Sequence, residues 1–186
     1  AACGLLRVHP VAEFEGQAPM ALEKMVTDPT VLDGGWRLDG KTGVIFGALN
    51  EESIAWSIAK ACKREGADFV LSNAPVALRF GSLDQLSEET GAPVIPCDVS
   101  KEADVESLMQ QTKEKLGGID FILHAIGMSP NVRKSKPYNA LDYNLYHKTL
   151  DISAMSLHKV LHYAEHTGAL RDGGSVVALS YIGAQR

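Results

Sequence analysis

Beyond residue 40, short apolar runs alternate with longer segments in which apolar residues recur every three or four positions. The apolar runs have the length of buried strands, and the periodic segments are typical of amphipathic helices. The predicted strands are residues 42–46, 68–72, 93–97, 120–126 and 175–180. The predicted helices are residues 53–65, 83–89, 101–116 and 143–166. This alternation predicts a parallel sheet with helices on both faces, which is a doubly wound, Rossmann-like α/β fold.

The first 40 residues follow a different pattern. They show no sustained period of two or 3.6, and prolines and glycines interrupt them repeatedly. We expect residues 1–40 to form a poorly ordered N-terminal extension, with a lid or a segment foreign to the domain as alternatives. Residues 41–186 then form one domain that contains the five predicted strands.

Composition and charge exclude several classes of protein. Apolar residues make up 45% of the 186 residues and the net charge is −5, so we expect a globular protein that binds neither nucleic acid nor membrane. The longest apolar runs are far shorter than the about 20 residues that a membrane-spanning helix needs. The first ten residues lack the apolar core of a signal peptide, and we therefore expect a cytoplasmic protein.

The three cysteines give no sign of a disulfide framework or a metal site. Cys3, Cys62 and Cys97 are far apart, and no Cys/His cluster has the spacing of zinc ligands. Cys62 and Cys97 have apolar neighbours, so we expect both thiols to be reduced and buried in the core.

The segment after the first strand has part of a diphosphate-binding pattern. In doubly wound folds, ligands bind at the carboxyl ends of the strands. Gly47 can form a tight turn there, and Ser53 is well placed to cap the following helix, whose N-terminus would suit a diphosphate. The later glycines of the GxGxxG pattern are absent, and Glu51 and Glu52 would repel a phosphate unless they point to solvent. An ordinary capped loop is the alternative.

The next strand ends carry further candidates. After the second strand there is neither an acid for a ribose 2′-hydroxyl nor an arginine for a 2′-phosphate, and Arg79 is the nearest base. Asp98 could accept a hydrogen bond from an adenine amino group while Val99 covers the ring, or Asp98 could simply begin a turn in which Ser100 caps the next helix. His124 is more typical of a structural histidine than of a catalytic base.

Five segments, read together in chain order, carry a family resemblance. They are Gly47-xxxxx-Ser53-Ile54-Ala55, Cys97-Asp98-Val99, His124-Ala125-Ile126-Gly127, Asp151-Ile152-Ser153 and Leu179-Ser180-Tyr181-Ile182-Gly183-Ala184-Gln185-Arg186. Together they resemble the bacterial enoyl-acyl-carrier-protein reductases, a divergent branch of the short-chain dehydrogenase/reductase family that lacks the second and third glycines. Residues 128–134 are similar to the form found in Bacteroidetes-like bacteria. The resemblance begins near residue 40 and makes residues 41–186 a dinucleotide-binding domain.

The resemblance implies a role for each matching position. Gly47, Ser53 and Ile54 would line the diphosphate, and Ala74 would contact the adenosine ribose region. Asp98 and Val99 would hold adenine, while Ile126 and Gly127 would run along the nicotinamide ribose. Ser129 would border the acyl pocket, and Tyr181 would be the first of two active-site tyrosines. The implied cofactor is NADH, with NADPH as the alternative.

The resemblance also implies a reaction and a missing part. The family reduces trans-2-enoyl thioesters on acyl carrier protein in type II fatty acid synthesis, using a second tyrosine about ten residues past Tyr181 and a lysine seven residues further on. Both would lie beyond Arg186. We therefore expect a fold that is incomplete at its C-terminal end, a fragment inactive alone, and a homotetramer at full length. A non-catalytic Rossmann-like nucleotide-binding protein or a carbonyl-reducing short-chain dehydrogenase are the alternatives.

One basic segment stands apart from the strand ends. Residues 131–138 hold Arg133, Lys134 and Lys136. They could form a solvated loop, or they could contact acidic acyl carrier protein or the cofactor phosphates.

Overall fold

Four parallel strands and their covering helices make up residues 38–180, which a computed structural model of the chain describes. The strands are β1 (Thr42–Phe46), β2 (Asp68–Ser72), β3 (Ile119–His124) and β4 (Leu170–Ala178). The α-helices are α1 (Ile54–Arg64), α2 (Leu83–Thr90), α3 (Glu102–Leu116), α4 (Pro130–Arg133), α5 (Tyr143–Leu150) and α6 (Ser156–His166). Short 3-10 helices occupy Ala77–Arg79 and Tyr138–Ala140. Most of the predicted N-terminal extension lies outside the described residues.

The sheet has the strand order β2-β1-β3-β4, and every neighbouring pair is parallel. Successive side chains of a strand point to opposite faces. Val44 and Phe46 of β1 therefore pack with α3 and α6 on one face, while Ile45 packs with α1 and α2 on the other. Because both faces are covered, the predicted doubly wound, Rossmann-like fold is confirmed.

The third predicted strand, residues 93–97, is the main error in the sheet. This segment follows β2 in parallel, but it forms a single isolated bridge between Val94 and Leu71. Backbone hydrogen bonds still join the segment to Leu71 and Asn73, but the Ile95 carbonyl accepts its bond from the Ser72 hydroxyl at 2.8 Å, which interrupts the ladder. Pro93 also has no N–H group with which to begin a ladder.

Two predicted bounds near the C-terminal end also differ. The predicted helix over residues 143–166 consists of α5 and α6 joined by a π-helical turn, Asp151–Met155. The predicted strand over residues 175–180 begins earlier, at Leu170, because the chain bulges between the pairs Ile119–Leu170 and Phe121–Ser175.

A group of charges joins the amino ends of three strands. The Asp120 carboxylate on β3 accepts hydrogen bonds from the Thr42 backbone N–H at 3.0 Å and from the Arg171 guanidinium at 2.6 Å. Partial burial raises the pKa of Asp120, but these donors and Lys41 outweigh it, so the pKa is lowered overall. This edge of the sheet is therefore fixed by polar contacts, and it lies opposite the carboxyl ends.

The structure also shows how deeply the two described cysteines are buried and whether any described helix could span a membrane. Cys97 is buried as predicted, whereas Cys62 is only half-buried. Between residues 38 and 180, no helix has the length and apolar character that a bilayer crossing requires.

Candidate functional site

A cavity of about 300 Å³ lies at the carboxyl ends of β1, β2 and β3. Ligands bind at this edge in doubly wound folds because the strand-to-helix loops open there. Six of the predicted cofactor residues line it: Gly47, Ala74, Asp98, Val99, Ile126 and Gly127. The structure therefore brings together residues that are up to 80 positions apart in the chain.

Three predicted site residues are not part of the cavity wall, and one is outside the structure's range. Ser53 directly precedes α1, and Ile54 begins α1 with 64% of its surface exposed. The Ser129 hydroxyl accepts a hydrogen bond from the Val132 N–H at the start of α4. Tyr181 lies outside the described residues, so its predicted role stays a prediction.

Gly47 is required by the fold. Its φ angle is +90°, in the region that favours glycine. A Cβ atom at this position would overlap the backbone carbonyl oxygen of Ala125, just after β3. The ends of β1 and β3 thus approach so closely that no side chain fits at position 47.

Ser53 occupies the N-cap position of α1, as the sequence predicts, but its side chain does not cap the helix. Its hydroxyl makes no hydrogen bond to α1 and instead turns back to the loop. It accepts from the backbone N–H groups of Leu49 and Asn50, both at 3.1 Å, and donates to the Asn50 side chain at 3.2 Å. The loop is therefore closed on itself, and the first turn of α1 carries no side-chain cap and no acidic residue. Such a helix end suits an anion.

The two neighbouring acids do not oppose an anion at this helix end. Glu51 and Glu52 are both exposed, and Glu51 accepts a hydrogen bond from the Gln85 side chain at 3.2 Å. Their charges therefore lie in solvent, where high dielectric and salt screen them.

Asp98 begins a turn and lines the cavity at the same time. Its carboxylate accepts from the Ser100 N–H at 3.1 Å and from the Ser100 hydroxyl at 2.7 Å. Ser100 does not cap the next helix, because the N-cap of α3 is Lys101. Partial burial raises the pKa of Asp98, but the bonds from Ser100 and the charges of Lys101 and Lys148 lower it overall. The group is thus a carboxylate at neutral pH and can accept hydrogen bonds from a ligand.

His124 has the structural role that the sequence predicts. It is 3% exposed, and its Nε2 lies 2.8 Å from the Ser156 hydroxyl. That hydroxyl donates its hydrogen to the Ile152 carbonyl at 2.6 Å, so Nε2 carries the proton and donates to Ser156. Burial lowers the pKa of His124, which keeps the ring neutral. The histidine ties β3 to α6.

The structure adds two cavity residues that sequence reasoning missed, Asn73 and Lys148, and it brings Arg133 of the basic segment to the same wall. Asn73 donates from its side chain to the Ala48 carbonyl and accepts from the Ala74 N–H, both at 2.8 Å, which joins the ends of β1 and β2. Lys148 on α5 and Arg133 on α4 bring two positive charges to the wall. Arg133 belongs to the basic segment noted above, and the spacing of Lys148 and Ile152 by four positions is the signal that places both on one helix face.

Cys97 gives the wall a buried thiol. It is 2% exposed and lies beside Asp98. Burial, together with the negative charges of Asp104 and Asp98, raises the pKa of Cys97 to about 12. Among the described residues, no group of histidine, cysteine and acidic side chains is arranged to hold a metal ion.

Comparison with known proteins identifies the family. The family described as "Enoyl-(Acyl carrier protein) reductase" matches residues 47–186. The chain is 36% identical over 150 residues to enoyl-[acyl-carrier-protein] reductase [NADH] 1 of Rhizobium meliloti, covering 80% of this chain and 54% of that protein. It is 33% identical to the FabI enzyme of Rickettsia felis, covering 80% and 56%. The chain thus spans about half the length of the curated relatives it matches.

Solved structures agree with this assignment. A FabI–NADH complex from Alistipes finegoldii is 52% identical to this chain with a TM-score of 0.78, covering 80% of this chain and 53% of that one. The enoyl-acyl-carrier-protein reductase of Anaplasma phagocytophilum in complex with NAD is 32% identical with a TM-score of 0.71, covering 80% and 56%. The resemblance read from the strand-end segments is therefore confirmed, and the chain belongs to the enoyl-acyl-carrier-protein reductase family.

Proposed function

We propose that this chain forms the cofactor-binding part of a cytoplasmic enzyme that uses NADH to reduce trans-2-enoyl thioesters on acyl carrier protein in type II fatty acid synthesis. The cavity is the observation that carries the proposal. Six of the eight residues that the resemblance assigns to the cofactor line one cavity at the carboxyl edge of the sheet. The NADH and NAD complexes named for the relatives support the choice of ligand.

The adenosine half of NADH would lie between the carboxyl end of β2 and residues 97–100. The Asp98 carboxylate would accept from the adenine amino group, Val99 would cover the ring, and Ala74 would contact the adenosine ribose. Arg79, the nearest base in the sequence, is exposed and does not line the cavity, so it gives no support for a 2′-phosphate. These features favour NADH over NADPH.

The diphosphate and the nicotinamide half would follow the ends of β1 and β3. The uncapped N-terminus of α1, which begins at Ile54, and the loop that Ser53 closes would bind the diphosphate. Gly47 would leave room beside it. Ile126 and Gly127 would line the nicotinamide ribose, and a Cβ atom at Gly127 would meet no atom within 4 Å, so this position opens to the cavity.

The chemistry divides between cofactor and protein. NADH supplies the hydride that reaches the β-carbon of the enoyl thioester. Negative charge then develops on the thioester oxygen, and a donor aimed at that oxygen stabilises it. We assign Tyr181 to the wall that faces the thioester and Ser129 to the border of the acyl pocket. Both assignments rest on the resemblance.

Two further assignments concern partners. We propose a homotetramer for the full-length protein, again on the resemblance. Lys134 and Lys136 are exposed beside the cavity wall that Arg133 joins, which supports a contact with acidic acyl carrier protein.

Cofactor binding and turnover test the proposal separately. Titration of the 186-residue chain with NADH, followed by cofactor fluorescence, is expected to show saturable binding. The chain alone is expected not to oxidise NADH with a trans-2-enoyl thioester, whereas a chain extended past residue 186 is expected to do so. Absence of NADH binding by both chains would contradict the proposal, and turnover of a ketone in place of the enoyl thioester would favour a carbonyl reductase.

A further inference from the structure

The π-helical turn between α5 and α6 forms part of the cavity wall. Its extra residue is marked by the Ser156 N–H, which donates to the Asp151 carbonyl five positions earlier. Ile152 lines the cavity, while Ala154 and Met155 on the other side of the turn are exposed. π-helical turns inside α-helices are frequent at functional sites.

One side chain of this turn, Ser153, holds the loop that follows β3. Its hydroxyl accepts a hydrogen bond from the Met128 N–H at 3.0 Å and lies 3.2 Å from the Met128 carbonyl, to which it donates. Both polar groups of one loop residue are therefore satisfied by a single hydroxyl. This fixes the orientation of the peptide groups on either side of Met128.

Apolar packing of Ile126 and Met128 against the core also holds the loop, but its described backbone has few hydrogen bonds. Residues 125–129 adopt neither helix nor strand. Within the described part of the chain, the backbone of residues 126–128 makes no other hydrogen bond. Ile126, Gly127 and Met128 all line the cavity. Core packing thus holds the side chains of this wall, while among the described residues the Ser153 hydroxyl orients its backbone.

We propose that Ser153 is a positioning residue for the nicotinamide half of the cofactor. The proposal rests on the proposed function, since it assumes that NADH occupies the cavity with its nicotinamide ribose along Ile126 and Gly127. Ser153 acts through the Met128 backbone and not by contact with the cofactor. The adenosine half, which faces Asp98 and Val99 across the cavity, is outside its influence.

The nearby Ser156 gives a contrast. It is fully buried, and its hydroxyl bonds to the Ile152 carbonyl and to His124, so its contacts join secondary-structure elements. Ser153 is only half-buried, and its hydrogen bonds within residues 38–180 go to the irregular loop. Loss of the Ser153 hydroxyl is therefore expected to alter the cavity wall more than the stability of the fold.

Two ligands that share the adenosine diphosphate part test this assignment. Binding of NADH and of ADP is measured for the 186-residue chain and for Ser153→Ala, with the thermal midpoint of each protein. Loss of two hydrogen bonds is expected to weaken NADH about tenfold and to leave ADP within about twofold. Thr149→Ala is the matched control, because among the described residues the Thr149 hydroxyl bonds only to the Leu145 carbonyl of its own helix.

A second pair of variants separates the hydroxyl from the shape of the side chain. The Ser153→Thr variant keeps the hydroxyl, and the Ser153→Val variant replaces it with a side chain of nearly the same shape as threonine but without a hydroxyl. The threonine variant is therefore expected to bind NADH several-fold more tightly than the valine variant. Equal weakening of NADH and ADP by Ser153→Ala, or equal NADH binding by the Thr and Val variants, would overturn the positioning role. If the unaltered chain binds neither ligand, the proposed function fails and the role of Ser153 fails with it, whereas equal weakening of NADH and ADP overturns the role of Ser153 alone.

Discussion

Two glycines of the cavity wall, Gly47 and Gly127, should respond in opposite ways to the same added methyl group. At Gly47 the φ angle is +90° and the new Cβ atom would overlap the Ala125 carbonyl oxygen. The left-handed backbone alone costs about 1–2 kcal/mol, and displacement of the neighbouring loop adds to it, so we expect Gly47→Ala to lower the free energy of unfolding by about 2–4 kcal/mol. For a chain of this size that is a fall in Tm of roughly 4–16 °C.

At Gly127 the same methyl group meets no atom within 4 Å, and the φ angle is not positive. Gly127→Ala is therefore expected to leave stability unchanged or to raise it by about 0.4–1 kcal/mol through the unfolded chain. The methyl group would instead occupy the cavity and weaken NADH about tenfold. Thermal unfolding by circular dichroism and NADH titration distinguish the two effects. An unchanged Tm for Gly47→Ala, or unchanged NADH affinity for Gly127→Ala, would refute the reasoning.

Three further predictions concern charge. Asp98→Asn keeps an acceptor for Ser100 but loses the negative charge, so we expect about tenfold weaker NADH binding with little change in Tm. The pKa of Asp120 is lowered in the folded state, so its carboxylate stabilises the fold above about pH 4 and this stabilisation is lost as the pH falls through the lowered pKa. Asp120→Asn should therefore be less stable at pH 7 and lose less stability on acidification in a pH series of unfolding curves. In the chain extended past residue 186, alanine at Lys134 and Lys136 should raise the KM for the carrier-bound substrate only, and alanine at Arg133 should also raise the KM for NADH. An equal rise in the KM for a small thioester would contradict the contact with acyl carrier protein.

Much of the fold could be predicted because the apolar runs and the strands coincide. The bounds of β1 and β2 agree with the sequence pattern residue for residue, since each run is apolar on both faces and ends at a polar residue or a glycine. The 93–97 segment has the same apolar pattern, but its pairing with β2 is interrupted where the Ser72 hydroxyl, more than 20 positions away, bonds to the Ile95 carbonyl. Apolar periodicity carries no information about such a contact.

The same limit applies to the candidate site. Positions next to strand ends, such as Gly47 and Asp98, could be found because the topology brings all strand ends to one edge. Lys148 comes from a helix, and only tertiary packing brings it to the cavity. The hydroxyl of Ser53 had two sets of backbone N–H groups within reach, in the loop before it and in the helix after it. The sequence spacing favoured a bond to the helix, but in the structure the hydroxyl accepts from the N–H groups of the loop.

The buried Cys97 has a chemical consequence for the cavity. With its pKa raised to about 12, the thiol is protonated at neutral pH. Because the thiolate is the form that peroxides and alkylating reagents attack, this sulfur is protected from them while the cavity wall stays folded. The wall therefore gains the packing of a small, polarisable side chain without becoming a target for oxidative damage.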